Sequence, residues 1–320
     1  LVFAAFSDTL PGGPHVNPPT VTFPPRTDVA SFTTTAPNIT KTRTPATATI
    51  GDLITYTLTV DIPGGTMSNV NIVDTLDAGL AFVDCTSVSV TAGNINSSVG
   101  PINTATFCND PVNPLVPAGP AGGGTATWNF GNLTDPGSNL TDLDTITITY
   151  TAVVLNVAAN VRGQDRNNSA VLGWDNPAGG RFTDSASAPD TRLIEPTLVV
   201  DKTGDLPTNR DATDIDTIFK IVVRPAACCN ATAHNVSLSD VIPAGLIYEA
   251  GTLTNSAGVA PATLTEAAGT ITATWTSLTT AQTSTLRFQS RLAANVQPAQ
   301  VITNTANIAW TSLPGSPTNT

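Results

Sequence analysis

Apolar and polar residues alternate along much of this chain. The segment 54–60 reads ITYTLTV, 145–150 reads TITITY, and the same spacing recurs at 219–223 and 286–288. A period of two places successive side chains on opposite faces of a half-buried β-strand. Gly and Pro interrupt these runs, and no apolar period of 3.6 residues persists. The pattern predicts an all-β protein built from short strands.

A set of short phrases occurs twice in the same order. The first copy contains Lys41-Thr42, VNIVDTLDAGLAF at 70–82, TATW at 125–128 and NSAVLGW at 168–174. The second contains Lys202-Thr203, VSLSDVIPAGLIY at 236–248, TATW at 272–275 and NTANIAW at 304–310. Self-similarity on this scale indicates two copies of one domain. We therefore predict two tandem immunoglobulin-like β-sandwiches.

Composition along the chain predicts the domain boundaries. A Pro-rich arm covers 1–36, the first sandwich 37–175, and the second 196–320. The segment 176–195 is polar and rich in Gly, Pro and Ser, and is predicted to be a linker. The first copy also carries a long insertion at 94–124, and loops of this length are often functional.

Three polar residues of each copy fall on the apolar face of their predicted strands. Lys41 shares a face with Ile39, Asp74 with Val70 and Ile72, and Asn168 with Ala170, Leu172 and Trp174. In the second copy, the same two-residue spacing predicts that Lys202, Asp240 and Asn304 also face inward. Six polar side chains are thus expected to face the two cores.

Burial of these groups favours a specific reaction. Desolvation lowers the pKa of a lysine and raises that of a carboxyl group, so the pair tends to become neutral. A neutral amine is a nucleophile, and a protonated Asp polarises the carbonyl of the Asn side chain. Attack with loss of ammonia leaves a Lys-Asn isopeptide bond. The alternative is that each Lys reaches solvent at a strand end, each Asp closes a turn and each Asn bonds the local backbone.

These phrases resemble the surface repeat family catalogued as domain of unknown function eleven. The resemblance covers about 37–174 and 196–310, with Asp77 standing where the pattern has the proline found at Pro243. It implies immunoglobulin-like modules of cell-surface proteins. By similarity to the cross-linked sandwiches of pilins and adhesins, it implies isopeptide sets Lys41, Asp74, Asn168 and Lys202, Asp240, Asn304.

Composition indicates an exported protein. The net charge is -11 and only 13 residues are Lys or Arg, so nucleic acid is not an expected partner. The chain starts at Leu1 without Met, which predicts a mature, extracellular, cell-surface product. No apolar stretch approaches the roughly 20 residues that span a bilayer. Candidate glycan acceptors are Asn38, Asn96, Asn132, Asn139, Asn167, Asn230 and Asn235.

Four cysteines suggest disulfides in an exported chain. We expect Cys85 to pair with Cys108 and so tie the insertion to its strand. Cys228 and Cys229 are adjacent. A vicinal bond between them is favoured, with an intermolecular bond or two free thiols as the alternatives.

No catalytic or metal-binding set is recognisable in the sequence. His15 and His234 are far apart and lack neighbouring Cys or His ligands. The acidic run DATDID at 211–216 lacks the Gly and distal Glu of a calcium loop. We expect neither an enzyme nor a cofactor.

The N-terminal arm is the predicted assembly element. It begins with the apolar run LVFAAF, in which Leu1, Val2, Phe3 and Phe6 are the candidate donor-strand residues. An apolar strand on an extended tether can insert into a neighbouring copy and propagate a filament. The sequence therefore predicts a self-assembling structural subunit of an extracellular filament or surface layer. The alternatives are that the arm folds onto its own first sandwich, or that the chain is an adhesin displaying binding loops.

Overall fold

A computed structural model describes residues 34–91, 94–109, 112–115, 122–137, 144–176, 178–205, 217–227 and 231–315. Nearly all regular structure in these ranges is β, and the helix that they contain is the short α1 (Thr104–Phe107). Residues Ala36–Thr320 form one compact unit with two separate hydrophobic cores. The predicted pair of immunoglobulin-like sandwiches is confirmed. Within the described ranges, no helix is long and apolar enough to cross a membrane.

The first sandwich is built from two main sheets. Its strands are β1 (Asn38–Thr44), β2 (Thr47–Ala48), β3 (Leu53–Ile62), β4 (Gly65–Leu76), β5 (Leu80–Thr91), β6 (Asn96–Ser97), β7 (Gly124–Asp135), β8 (Asp144–Val154), β9 (Asp165–Arg166), β10 (Asn168–Asp175), β11 (Arg181–Ser187) and β12 (Thr191–Leu193). One sheet has the order β1-β3-β8-β5 and the other β11-β10-β4-β7-β6. A small third sheet has the order β2-β12-β9.

The second sandwich repeats this plan. Its strands are β13 (Leu198–Asp205), β14 (Thr217–Pro225), β15 (Ala233–Val241), β16 (Leu246–Tyr248), β17 (Thr254–Gly258), β18 (Thr263–Ala267), β19 (Thr270–Leu278), β20 (Ser284–Leu292) and β21 (Ala306–Thr311). One sheet has the order β13-β14-β20-β16, with β17 also on β20, and the other β18-β19-β15-β21.

The alternating sequence produces the cores directly. Every second residue of β3, from Ile54 to Ile62, is buried, and β8 alternates in the same way from Asp144 to Val154. Trp128 of the first TATW phrase and Trp275 of the second lie in the two cores. The period of two therefore places the apolar side chains between the sheets in both copies.

The order of strands is the same in both copies. The strands that both copies share can be numbered in chain order. The first, second, sixth and fourth then form one sheet, in that spatial order, and the third, fifth and seventh form the other. In an antibody constant domain, the fifth strand lies with the first sheet and the sixth with the other. The sandwich is thus immunoglobulin-like in architecture with its own strand order. This shared order supports descent from one duplicated domain.

The prediction of a linker over 176–195 is wrong for most of that segment. β11 pairs antiparallel with β10, and β12 pairs with β2 and β9, so both belong to the first sandwich. β11 is an edge strand whose outer face is exposed, and edge strands carry polar residues because their outer side meets water. Its sequence therefore lacks the apolar alternation of an inner strand. The connection between the sandwiches is reduced to 194–197.

The insertion of the first copy packs onto its own sandwich. The side chain of Asn103 caps α1 by accepting a bond from the Thr106 amide, and Phe107 stacks on Phe130 at 4.6 Å between ring centroids. A disulfide joins Cys85 and Cys108, whose Cα atoms are 5.1 Å apart, as predicted. The insertion is thereby fastened to β5 at one end of the helix.

Candidate functional site

Three strands bring Lys41, Asp74 and Asn168 together in the first core. On the neighbouring strands β4 and β10, Ala170 lies opposite Asp74 and Asn168 opposite Leu76. Asn168 is therefore the diagonal neighbour of Asp74 on the inner face of this sheet. Lys41 lies on β1 of the facing sheet, where its partner is Leu58. The sandwich closes these polar groups between its two layers.

Lys41 and Asp74 form a fully enclosed ion pair. The ammonium Nζ of Lys41 donates to Oδ2 of Asp74, and both side chains are 0% exposed. The other carboxylate oxygen, Oδ1 of Asp74, has no hydrogen-bond partner. The side-chain carbonyl Oδ1 of Asn168 is also buried without a partner. Two oxygen atoms in this closed site thus lack the donors that buried acceptors normally have.

Two tyrosines form the wall of the site. Tyr56 and Tyr150 face each other across β3 and β8 with ring centroids 5.4 Å apart. The Nζ of Lys41 lies 5.2 Å from the centre of the Tyr56 ring and 5.7 Å from that of Tyr150. The hydroxyl of Tyr150 accepts a 2.6 Å hydrogen bond from Nδ2 of Asn168. Aromatic faces favour the nearby cation while excluding water from it.

Burial shifts the pKa values of this site toward neutral side chains. Desolvation lowers the pKa of Lys41 to about 8, although the charge of Asp74 opposes the change. Desolvation likewise raises the pKa of Asp74, against the effect of Lys41. It also raises the pKa of Tyr56 to about 12 and that of Tyr150 well above its usual value. Both phenols therefore stay protonated at neutral pH, and burial reduces the free energy that separates the ion pair from its neutral form.

The second core contains the equivalent set. The Nζ of Lys202 on β13 donates to Oδ2 of Asp240 on β15. Ala306 lies opposite Asp240, as Ala170 lies opposite Asp74, so Asn304 takes the position of Asn168 just before β21 begins. Both polar atoms of the Asn304 side chain and Oδ1 of Asp240 are buried without partners. In the second core the structure thus pairs Lys202 with Asp240 and places Asn304 at the position equivalent to Asn168.

The second site differs from the first in its walls and in its exposure. Phe219 and Phe288 replace the two tyrosines, with Nζ of Lys202 at 5.1 and 5.5 Å from their ring centres. The Lys202 side chain is 11% exposed, whereas that of Lys41 is fully enclosed. Desolvation lowers the pKa of Lys202 and raises that of Asp240, each opposed by the partner. The second site therefore contains the same Lys, Asp and Asn side chains, but it is less closed and its aromatic wall carries no hydroxyl group.

The four aromatic residues were not among the site residues predicted from sequence. A signal for them exists, because Tyr56 and Phe219 lie at matching positions of the alternating runs ITYTLTV and IFKIV. Tyr150 and Phe288 lie at matching positions of the strands paired with those runs. Aligning the repeats strand by strand would have placed these rings next to the inward lysines.

The other sequence predictions fall in different places. Asn38, Asn96, Asn132 and Asn167 are exposed and accessible to glycosylation. Asn235 is half-buried, and its Nδ2 donates to Thr311 and to the backbone of the segment after β21, so this site is a poor acceptor. No cluster of His, Cys, Asp and Glu that suits a metal occurs within the described ranges. The remaining predicted residues lie outside those ranges: Asn139, Asn230, Cys228, Cys229 and the arm residues Leu1, Val2, Phe3 and Phe6.

Comparison with solved structures finds distant likenesses. The C-terminal domain of the AgI/II polypeptide BspA of Streptococcus agalactiae is 10% identical, with a TM-score of 0.36 over 86% of this chain and 96% of that one. The full-length major pilin SpaD of Corynebacterium diphtheriae is 16% identical, with a TM-score of 0.31 over 87% and 57%. The pilus backbone RrgB of Streptococcus pneumoniae is 16% identical, with a TM-score of 0.28 over 88% and 58%.

No family model matches the chain, and no curated protein matches it in sequence. At the identities and TM-scores above, the structural likenesses do not establish a shared function.

Proposed function

We propose that the chain is a non-enzymatic structural subunit of an extracellular filament or surface layer, in which a Lys-Asn isopeptide bond locks each sandwich. The observation that carries this proposal is the pair of buried sites in which Lys, Asp and Asn meet. We place the chain with the surface repeats that its duplicated phrases resemble. Such bonds would join the first strand of each sandwich, β1 or β13, to the start of β10 or to the residues just before β21.

The unpaired oxygens support a proton transfer from lysine to aspartate. The Lys41 ammonium contacts Oδ2 of Asp74 and can pass its proton to this carboxyl group, and an acid that carries the proton on Oδ1 would be a donor for the unpaired carbonyl Oδ1 of Asn168. The same transfer in the second site pairs Asp240 with the carbonyl of Asn304. One step thus gives partners to two buried oxygens, generates a neutral amine and polarises the carbonyl that it attacks.

The reaction then balances without any cofactor. The Nζ lone pair of Lys41 attacks Cγ of Asn168, and a tetrahedral intermediate forms. The Nζ–Cγ bond is made, the Cγ–Nδ2 bond breaks, and Nδ2 leaves as ammonia with a proton relayed by Asp74. Of the five protons on the Lys41 ammonium and the Asn168 amide, one stays on the isopeptide nitrogen, three leave with ammonia and one remains on Asp74, which ends protonated. Because the product is part of the chain, the reaction happens once per site.

Enclosure of the first site argues against turnover of an external substrate. The side chains of Lys41 and Asp74 are 0% exposed, and the rings of Tyr56 and Tyr150 cover the amine. An outside molecule cannot reach Nζ without opening the sandwich. A covalent bond across the core instead resists unfolding under tension, which suits a load-bearing subunit.

Intact mass under denaturing and reducing conditions tests the cross-links. The mass should fall below the value computed from sequence by one ammonia for each bond, after removal of glycans. Lys41→Arg should restore one ammonia and Lys202→Arg the other, because arginine stays protonated and cannot attack. Full mass in the unaltered protein would exclude both bonds.

Assembly through the N-terminal arm is the second part of the proposal. The apolar start of the arm, LVFAAF, precedes a Pro-rich segment and suits a strand carried on an extended tether. Deleting 1–6 should abolish filaments in electron micrographs while both sandwiches remain folded by circular dichroism. Normal filaments from the truncated chain would remove the arm from assembly. A monomer that binds a glycan or host protein and never polymerises would favour the adhesin alternative.

A further inference from the structure

The two sandwiches differ at one sheet edge. In the first, β11 pairs with β10 along the whole strand, from Asp175 opposite Arg181 to Ser169 opposite Ser187. In the second, β21 holds the position of β10, and β15 pairs with one of its sides. Within the described ranges, no strand pairs with the other side of β21. The described part of the second sandwich therefore contains no counterpart of β11 there.

Three residues on one face of β11 contact the first sandwich, and Phe182 among them remains 45% exposed. The ring of Phe182 lies 5.6 Å from that of Trp174. Oδ2 of Asp184 accepts a 2.9 Å hydrogen bond from the backbone amide of Ile39 on β1, which belongs to the facing sheet. Ala186 lies opposite Ala170. β11 thus covers the seam between the two sheets beside the Lys41 site.

The same seam is more open in the second sandwich. Ala170 and Leu172 are 0% exposed, whereas their counterparts Ala306 and Ile308 are half-buried. Ile39 is buried, but Val200, at the same position before the lysine, is half-buried. A bare strand edge with apolar side chains beside it is a ready acceptor for an added strand.

We propose that the outer edge of β21 accepts residues 31–36 of a second copy as an antiparallel strand, in the position that β11 occupies in the first sandwich. The inference rests on the proposed function and deepens it, since it names an acceptor edge and adds 31–36 to the apolar run 1–6 as a second part of the arm that pairs with a neighbouring copy. Because 31–36 directly precede the first sandwich of their own copy, this pairing brings the second sandwich of one copy next to the first sandwich of another. The outcome is a head-to-tail chain of copies.

The donor segment is identified by its likeness to β11. Residues 181–186 read RFTDSA and 31–36 read SFTTTA, so the aromatic, small polar and Ala residues fall at the same alternate positions. Each segment precedes the Lys-Thr strand of a sandwich. In the chain, β11 completes a main sheet of one sandwich, and the chain then passes through β12 into the next sandwich. By the same order, 31–36 would close the second sandwich of one copy and lead into the first sandwich of another.

The described end of the donor segment is free to pair. Residues 34–36 are exposed and form no helix or strand. In the register of β11, Phe32 would stack on Trp310, Thr34 would lie opposite Ile308 and Ala36 opposite Ala306. The hydroxyl of Thr34 would accept from the amide of Val200, as Asp184 accepts from Ile39.

Disulfide trapping between two full-length chains tests this register. Thr35 and Asn307 are both exposed, and the register of β11 makes them opposite neighbours on the outer face. With Cys228 and Cys229 replaced by Ser, one chain carries Thr35→Cys and a second, affinity-tagged chain carries Asn307→Cys. Under mild oxidation we expect a disulfide-linked heterodimer. A matched control places the first cysteine at Thr42, an exposed residue of β1.

The outcomes separate this inference from the broader proposal. A heterodimer that forms with Thr35→Cys but not with Thr42→Cys supports the proposed register. Its loss when Phe32→Ser is added supports 31–36 as the donor. No heterodimer above the control overturns the inference. If filaments still form in that case, assembly stands and uses another edge. If an excess of a peptide spanning 1–8 prevents the heterodimer, the donor assignment to 31–36 is wrong.

Discussion

The side-chain amide of Asn168 donates a 2.6 Å hydrogen bond to the hydroxyl of Tyr150. This bond holds the nitrogen that would leave as ammonia and orients the carbonyl toward the interior. In the second sandwich the residue matching Tyr150 is Phe288, and both polar atoms of Asn304 lack partners. The two sites thus share their reacting groups but differ in how the amide is positioned.

Replacing Tyr150 with Phe should slow cross-linking of the first sandwich and destabilise it. The change leaves Nδ2 of Asn168 buried without its acceptor, at a cost of about 1–3 kcal/mol. The rate is measured by the appearance of the ammonia loss after cell-free synthesis. Tyr56→Phe is the matched control, because the Tyr56 hydroxyl is buried without a partner and its removal should have little effect. Equal effects of both variants would show that Tyr150 acts only through packing.

The reciprocal change, Phe288→Tyr, should speed cross-linking of the second sandwich. The added hydroxyl gives the Asn304 amide the acceptor that Tyr150 gives Asn168. In the Lys41→Arg background, all ammonia loss comes from the second site, so the intact mass reports on that site alone. A slower reaction in the variant would mean that the extra oxygen displaces the amide and does not position it.

Asp74→Asn should abolish cross-linking of the first sandwich and leave the Lys41 amine buried without its partner. Removing one member of a buried ion pair costs about 3–5 kcal/mol. Asp240→Asn should cost less, because the Lys202 side chain is 11% exposed and water can reach it. Chemical denaturation monitored by tryptophan fluorescence measures both. The double variant Lys41→Met with Asp74→Leu also lacks the bond but buries no charge, so it should retain more stability than Asp74→Asn.

The rate of cross-linking at the first site should be independent of pH from about pH 8 down to the pH at which Asp74 also takes up a proton. Above about pH 8 the rate should decline. The reactive form, neutral Lys41 beside protonated Asp74, carries the same single proton as the ion pair, so its population does not change while that proton stays bound. Burial sets the pKa of Lys41 at about 8. Above that pH, the proton leaves and Asp74 cannot donate to the Asn168 carbonyl. A rate that instead climbs above pH 8 would show that the free amine suffices.

Loss of the Cys85–Cys108 disulfide should destabilise the first sandwich only. The bond closes a loop with a sequence separation of 23, for which chain entropy gives about 3 kcal/mol. Replacing both cysteines with Ser should lower the unfolding temperature of that sandwich and expose α1 to proteolysis near Phe107. The cleavage sites are read by mass spectrometry. Protection equal to that of the parent protein would show that the stacking of Phe107 on Phe130 holds the insertion unaided.

The sequence alone determined the strands and the faces of their side chains. Because neighbouring residues of a strand point to opposite faces, the alternation around Lys41, Asp74 and Asn168 already turned all three inward. The duplicated phrases then predicted a second set at Lys202, Asp240 and Asn304. These properties are local, so they can be read along the chain without knowing which strands are neighbours.

The tertiary structure decided what surrounds those residues. Tyr150 meets Asn168 because β8 of one sheet packs over β10 of the other, and nothing in either segment specifies that contact. The polar segment RFTDSAS forms β11 because its backbone pairs with the edge of β10. Backbone pairing requires no particular pattern of side chains. Whether an edge is covered depends on backbone pairing, which the side-chain pattern does not record, so the difference between the two seams emerged only from the fold.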